Sequence, residues 1–276
     1  MPVIAMTREM GAGGREVAQR VADQLALKVV LHEMVEHDLA EHMHVQESAV
    51  RHRLEGGATL RERLQIGNKR LARYTIEEIL ELARQGDVLI RGWGACAILR
   101  DVPHVPRIRV CAPMAVRIRA ITGRPGFADA GAAKREIERN DAAHRHTLKA
   151  AYGVDREDPL RYDLVLNTER ASIDICVKLV CDLAASPEFR ETEASRSILV
   201  DKALEAHVRI KLHERFTVGM GVSGADVAAD AGKIVLTGTA IHRALVEDAG
   251  RIAGQVAGVK EVVNRMVVAH GPRGLG

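Results

Sequence analysis

Val3-Ile4-Ala5-Met6-Thr7-Arg8-Glu9-Met10-Gly11-Ala12-Gly13-Gly14-Arg15-Glu16 is the stretch on which the reading of this chain turns. Its first four residues are apolar and suit a short buried strand. Three glycines then fall within four positions. Beyond them Val17, Ala18, Val21, Ala22 and Leu25 recur at helical spacing, so one face of a helix is apolar. Strand, glycine turn and helix start together offer bare backbone N–H groups and the positive end of a helix dipole, which is how a chain cradles phosphate. The spelling departs from G-x-x-x-x-G-K-[ST]. No lysine follows the last glycine, and Glu16 stands where a magnesium-binding hydroxyl is expected. A tight strand-to-helix turn needs glycines for its dihedrals alone, and on these residues by themselves both readings stand.

The alternation continues outward from this stretch. Short apolar runs at 3–6, 28–31, 88–90, 108–111 and 163–166 read as buried strands separated by helical patterns. That predicts an α/β fold, a parallel five-stranded sheet with helices on both faces. Thr75-Ile76-Glu77-Glu78 reads as a capping box. It would open a helix whose apolar face is Ile76, Ile79, Leu80 and Ala83 and whose stop is Gly86. Residues 184–197 lose apolar periodicity and gain charge, so residues 1–184 are expected to form one domain and 185–198 a linker. Residues 199–270 change pattern and predict a small α+β domain of order αββαβ. Its first helix carries Leu204, Val208 and Leu212. A strand pair turns at Asp230-Ala231-Gly232, a second helix carries Leu245, Ala249, Ile252 and Val256, and a strand at 261–268 closes the unit.

Composition narrows the classes. Hydrophobic residues make up 47% of the 276 residues, enough for a sizeable core, but aromatics are only 3%. A stacking surface for single-stranded nucleic acid is therefore not expected, and a net charge of +3 suits anionic small molecules better than a DNA-coating role. Cys96, Cys111, Cys176 and Cys181 show no C-x-x-C pairing and read as reduced core thiols. No basic leader precedes a long apolar stretch and no window suits a transmembrane segment, so a cytoplasmic setting is expected. His32, His37, His42, His44 and His52 crowd one region without H-E-x-x-H spacing, so no metal site is assigned to them.

Residues 3–183 resemble the cytidylate kinase-like family of P-loop nucleoside monophosphate kinases. Four stretches in order carry the likeness: 7–16; Val88-Leu89-Ile90-Arg91-Gly92-Trp93-Gly94-Ala95; 109–117; and Glu136-Ile137-Glu138-Arg139-Asn140-Asp141 through Gly153-Val154-Asp155 and Asp158-Pro159 to 162–168. The segment from about 199 to 269 resembles a BON domain, through Lys233-Ile234-Val235-Leu236-Thr237-Gly238 and 258–264. The first resemblance implies ATP as phosphoryl donor, Mg²⁺ between its phosphates, and a nucleoside monophosphate, CMP, as acceptor. The second implies a module for phospholipid or other hydrophobic ligands, self-association or regulation.

Phosphoryl transfer asks the protein for positioning and for positive charge. The resemblance points to Arg8, Arg15 and Arg145 as catalytic candidates. It points to Gly11, Ala12, Gly13, Gly14, Arg15, Glu16, Arg91 and Arg139 as phosphate- or nucleotide-binding candidates. Arg51, Arg53, Arg61, Arg63, Lys69, Arg70 and Arg73 crowd the segment where such kinases bind the acceptor, and Glu55, Glu62 and Glu77 are their expected partners. Three positions depart from the usual kinase pattern. The phosphate-loop lysine falls on Gly14, a replacement that the resemblance implies the family shares, Trp93 stands inside the usual Gly-Arg-Gly, and His144 stands where an arginine usually follows Asp141. These departures motivate a second reading, a catalytically weak nucleotide sensor that signals through the BON domain.

Overall fold

A computed structural model describes residues 2–30, 32–43, 45–54, 68–127, 129–216 and 221–269. The chain divides into two compact units, residues 1–195 and 196–276.

The first unit is built on a parallel sheet of five strands: β1 (Val3–Arg8), β2 (Lys28–Val30), β3 (Val88–Arg91), β4 (Arg107–Cys111) and β5 (Leu164–Asn167). Their spatial order is β2-β3-β1-β4-β5. Central β1 pairs with β3 from Val3 opposite Val88 to Met6 opposite Arg91, and with β4 from Ala5 opposite Arg107 to Arg8 opposite Val110. Val3, Ile4, Ala5 and Met6 are all buried, as an apolar strand covered on both faces must be. Each predicted strand is present, and Leu31 lies outside the described residues.

Helix α1 (Gly14–Leu25) buries Val17, Ala18, Val21 and Ala22. Helices α2 (His32–Met43) and α3 (Glu47–Leu54) follow β2, and α4 (Asn68–Gln85) leads into β3. The capping box expected at Thr75 is not a helix start. Thr75 lies inside α4, buried, and its hydroxyl donates back to the carbonyl of Leu71 at 2.9 Å. The expected stop is present, with Gly86 at φ 78° and its N–H bonded to Ala83 O at 3.1 Å. Further along are α5 (Ala95–Ile98), α6 (Met114–Ile121), the long α7 (Ala130–Tyr152) and α8 (Ile173–Ala184). Ile4, Met6, Val17, Val21, Ile108, Val110, Cys176 and Val180 meet in one core, with α1 and α8 on one side of the sheet.

Within the expected linker, a short turn at Pro187–Phe189 is followed by α9 (Glu193–Arg215). Thr192 and Ser195 cap this helix reciprocally, Thr192 N–H to Ser195 Oγ at 2.9 Å and Ser195 N–H to Thr192 Oγ1 at 3.1 Å. The second unit adds β6 (Val222–Asp230), β7 (Lys233–Ala240), α10 (Arg243–Gly254), β8 (Glu261–Asn264) and β9 (Val267–Val268). β6 and β7 are antiparallel, while β8 and β9 both lie parallel to β7. Ala231 at φ 50° and Gly232 at φ 85° make the two-residue hairpin turn that matches strand twist. Leu204, Val208, Leu212, Ile234, Leu236, Ala249 and Ala253 form its separate core.

Candidate active site

A cavity of about 1580 Å³ opens beyond the carboxyl ends of β1 and β3. Its wall includes Arg8 from β1, the loop after it, Arg91 at the end of β3 and Trp93 beyond it, and a face of α7 with the segment that follows. Parallel sheets place ligands at this end of their strands because the loops that diverge there leave a crevice.

The glycine loop is shaped by contacts that exclude side chains. Gly11 at φ 82° and Gly13 at φ 73° hold conformations that L-residues rarely adopt. A β-carbon on Gly11 would stand 2.7 Å from the carbonyl oxygen of Arg117. One on Gly14 would stand 2.6 Å from Cβ of Arg8 and 3.3 Å from Cβ of Val110. The place where a phosphate-loop lysine falls is thus closed to a side chain, and the Arg8 side chain passes over it. The N–H groups of Gly11, Gly13, Gly14 and Arg15 meet no protein acceptor among the described residues. Ala12 differs. It is buried, its N–H bonds to Glu9 O at 3.1 Å, and its carbonyl accepts from Thr168 Oγ1 at 3.0 Å.

A buried charge network holds this loop from behind. Glu9 accepts from Arg109 at 2.7 Å and from the Ala112 N–H at 3.2 Å. Arg117 clasps Asp141 with two bonds of 2.8 and 2.9 Å and donates through Nε to Met10 O at 2.8 Å. Arg156 donates to Arg8 O at 2.7 Å and stands 3.6 Å from Asp141. The carbonyl of Arg156 in turn accepts from the Tyr162 hydroxyl at 2.8 Å and from Arg109. Arg109, Arg117, Asp141 and Arg156 are all buried. Removing one member of such a set leaves an uncompensated charge, a loss of about 3–5 kcal/mol.

In front of this frame the charge is positive. Burial lowers the Arg8 pKa to about 10, and Arg91, Arg15, Arg156 and Arg124 push in the same direction. The His144 imidazole is pushed down to about 4 by burial, then by Arg156 and Arg8, against a smaller opposing pull from Asp141. So many cations gathered at the start of α1, beside unused N–H groups, make a site for a polyanion.

The predicted residues fall as follows. Arg8, Gly11, Gly13, Gly14, Arg15, Glu16, Arg91 and Arg139 stand on the cavity wall. Arg139 is exposed and paired with Glu136 at 2.7 Å. Glu16 is exposed, 3.8 Å from Arg20. Ala12 is not on the wall, nor is Arg145, which is exposed and paired with Glu157 at 3.0 Å. One residue of helix rotates a side chain by about 100°, so α7 turns His144 toward the cavity and Arg145 away from it. Trp93 both packs and lines: it is buried at φ 58°, on the wall, with the Tyr152 ring against Gly94 beside it. Arg70 is engaged elsewhere, on Met43 O at 3.1 Å, and neither it, Lys69 nor Arg73 lies on the wall. Arg61, Arg63, Glu55, Glu62 and His44 lie outside the described residues, as do the side chains of Arg51, Arg53, His32 and His52. His37 pairs with Glu47 at 2.7 Å.

Sequence reasoning assigned no role to Glu9, Arg109, Arg117, Arg124 or Arg156. An arginine between Ile108 and Val110 in a buried strand was a signal for Arg109. Arg156 lies in a polar segment and carried none. Among the described residues no three His, Cys, Asp or Glu side chains converge on a metal position. Mg²⁺ needs only one or two carboxylates beside phosphate oxygens and water, and Glu16 on the wall offers one.

Residues 3–170 match the cytidylate kinase-like family, and residues 201–270 match the BON domain. A protein named cytidylate kinase from Methanopyrus kandleri is 29% identical over 174 residues, which cover 59% of this chain and 83% of that protein. One of the same name from Pyrobaculum aerophilum is 26% identical over 182 residues, covering 66% and 92%. A crystal structure of an uncharacterized protein from Eubacterium ventriosum superposes with a TM-score of 0.53 at 18% identity, over 67% of this chain and 99% of that one, and so shares the fold. No described helix is long and apolar enough to cross a membrane.

Proposed function

The chain belongs to the cytidylate kinase-like family, and from that premise we propose that its first unit moves the γ-phosphoryl group of ATP to a nucleoside monophosphate, CMP before others. An oxygen of the acceptor phosphate forms the new bond to the γ-phosphorus, the bond to the β-phosphate bridging oxygen breaks, and ADP leaves with the nucleoside diphosphate. The observation that carries this is the gathering of Arg8, Arg15, Arg91, Arg124 and Arg156 around the open N–H groups of Gly13 and Gly14. The backbone groups hold donor phosphates. Arg8, fixed over Gly14, supplies charge from the side where a lysine is missing. Glu16 would hold Mg²⁺, whose contribution when bound is to neutralise phosphate charge. Arg117 and Arg156 act through the loop backbone and keep the N–H groups aimed.

A second reading rests on Arg8 itself. A planar guanidinium whose stem packs against Gly14 cannot follow a moving phosphoryl group as a lysine ammonium can, which favours nucleotide binding with slow turnover. In both readings the domains run 1–184 and 199–270 in a cytoplasmic protein, and the second binds a hydrophobic or phospholipid ligand or a second copy. The test incubates the full chain with ATP, Mg²⁺ and each of CMP, UMP, AMP and GMP, and separates products by chromatography. CDP formed fastest supports the proposal. ADP binding without turnover leaves the second reading, and no binding of ATP, ADP or CMP at millimolar concentration removes both.

A further inference from the structure

His144 stands on the cavity wall, half-buried, and its ring makes no hydrogen bond to protein among the described residues. The charged groups that face it are Arg8 from β1, Arg156 from the segment after α7, and Asp141 one turn earlier on its own helix. Of the elements packed against α7, α6 brings Arg117, whose charge Asp141 already matches through two bonds. From α4 the wall receives Leu71, Ala72 and Thr75, which carry no charge, and on α3 Glu47 is paired with His37. The ring therefore feels two cations, while its own acidic neighbour is already bonded to Arg117.

We infer that His144 is a phosphate-contacting residue that carries charge only while an anion occupies the cavity, so that a phosphate-bearing ligand and one proton bind together. The physical reason is a reversal of sign. Without a ligand, a proton on the ring meets Arg8, Arg156 and burial, and the neutral imidazole wins. A phosphate placed among the same arginines brings negative charge that outweighs them, and a charged imidazole with a free N–H becomes its donor. An arginine would add its charge permanently, in a cluster that already lowers the Arg8 pKa. A histidine adds it on demand. This rests on the proposed reading in so far as the cavity takes phosphate.

The test is a proton NMR titration of the histidine Cε1–H signals in the full chain between pH 4 and 8.5. It is run alone, with sulfate, whose charge is fixed over this range, and with ADP. The His144 signal is identified by its loss in His144→Gln. Alone, it is expected to titrate near 4. With ligand bound it is expected to rise by about three or more pH units, so that the ring holds its proton near neutral pH, which by reciprocity makes anion binding about a thousandfold tighter to the protonated form. His144→Arg should bind with an affinity that no longer follows this pH step. A rise with sulfate makes the anion alone sufficient, and a rise with ADP only makes the contact specific to nucleotide phosphate; either supports the inference. ADP binding that leaves the His144 titration unmoved overturns it and spares the proposed function. No binding of either ligand removes both. Should His144→Gln fail to fold, selective histidine labelling of the unmodified chain gives the same readout.

Discussion

At Gly14 a β-carbon would stand 2.6 Å from Cβ of Arg8 and 3.3 Å from Cβ of Val110. The glycine is required by its neighbours, since its own backbone is ordinary helix. Gly14→Ala is therefore expected to destabilise the first unit by about 1–3 kcal/mol through overpacking. Arg8→Gly in the same chain should recover part of that loss, because the strand atom that clashes is gone. Urea midpoints for the two single variants and the double variant measure the coupling, and strict additivity would refute the steric account. Much of this was legible in the chain: the glycines, Arg8 and the absent lysine are all on the line. The closure of Gly14 was not, because Val110 is brought beside it only by the pairing of β1 with β4. The exchange of Arg145 for His144 was lost for a different reason. Sequence spacing gives the period of a helix but not which side the cavity lies on.

Between α2 and α4 the packing brings carboxylates together. Glu78 has its pKa raised to about 7, first by burial, then by Asp38 and Glu81. Its folded value lies above its unfolded one, so it favours the native state below about pH 4.5 and loses that contribution as pH rises toward 7. Glu78→Gln is expected to leave stability unchanged near pH 4.5 and to raise it by about 1 kcal/mol at pH 8, after discounting for solvent screening. Thermal unfolding at the two pH values checks this, and an equal gain at both would show that the charge is not the cause. Strands were the most legible elements, since β1 and β3 open on apolar runs that are buried on both faces. Helix starts were the least. A threonine three residues before a glutamate can also lie inside a helix, its hydroxyl bonded back to the preceding turn, so Thr75 was misread. The reciprocal cap at Thr192 and Ser195 lacks the glutamate that would have announced it.

Among the described residues each unit has a hydrophobic core of its own. Ile4, Met6, Val17 and Val180 belong to the first, and Val208, Leu236 and Ala253 to the second. The change of pattern after residue 184 announced this division. The helix expected to carry Leu204, Val208 and Leu212 does so, but its start at Glu193, inside the expected linker, was not announced. The ligand cavity draws its wall from the first unit alone. A ligand stabilises only the folding unit that binds it, by RT ln(1 + [L]/Kd), which is about 2.7 kcal/mol at a hundredfold excess over Kd. Separate cores predict two calorimetric unfolding transitions for the full chain, and ADP at that excess is expected to raise the temperature of one and leave the other in place. Tryptophan fluorescence identifies the moving transition independently, because Trp93, the chain's only tryptophan, lies on the cavity wall. A single transition that ADP shifts as a whole would show that the two units unfold as one body, and an ADP shift in the transition that Trp93 does not report would place the nucleotide in the second unit.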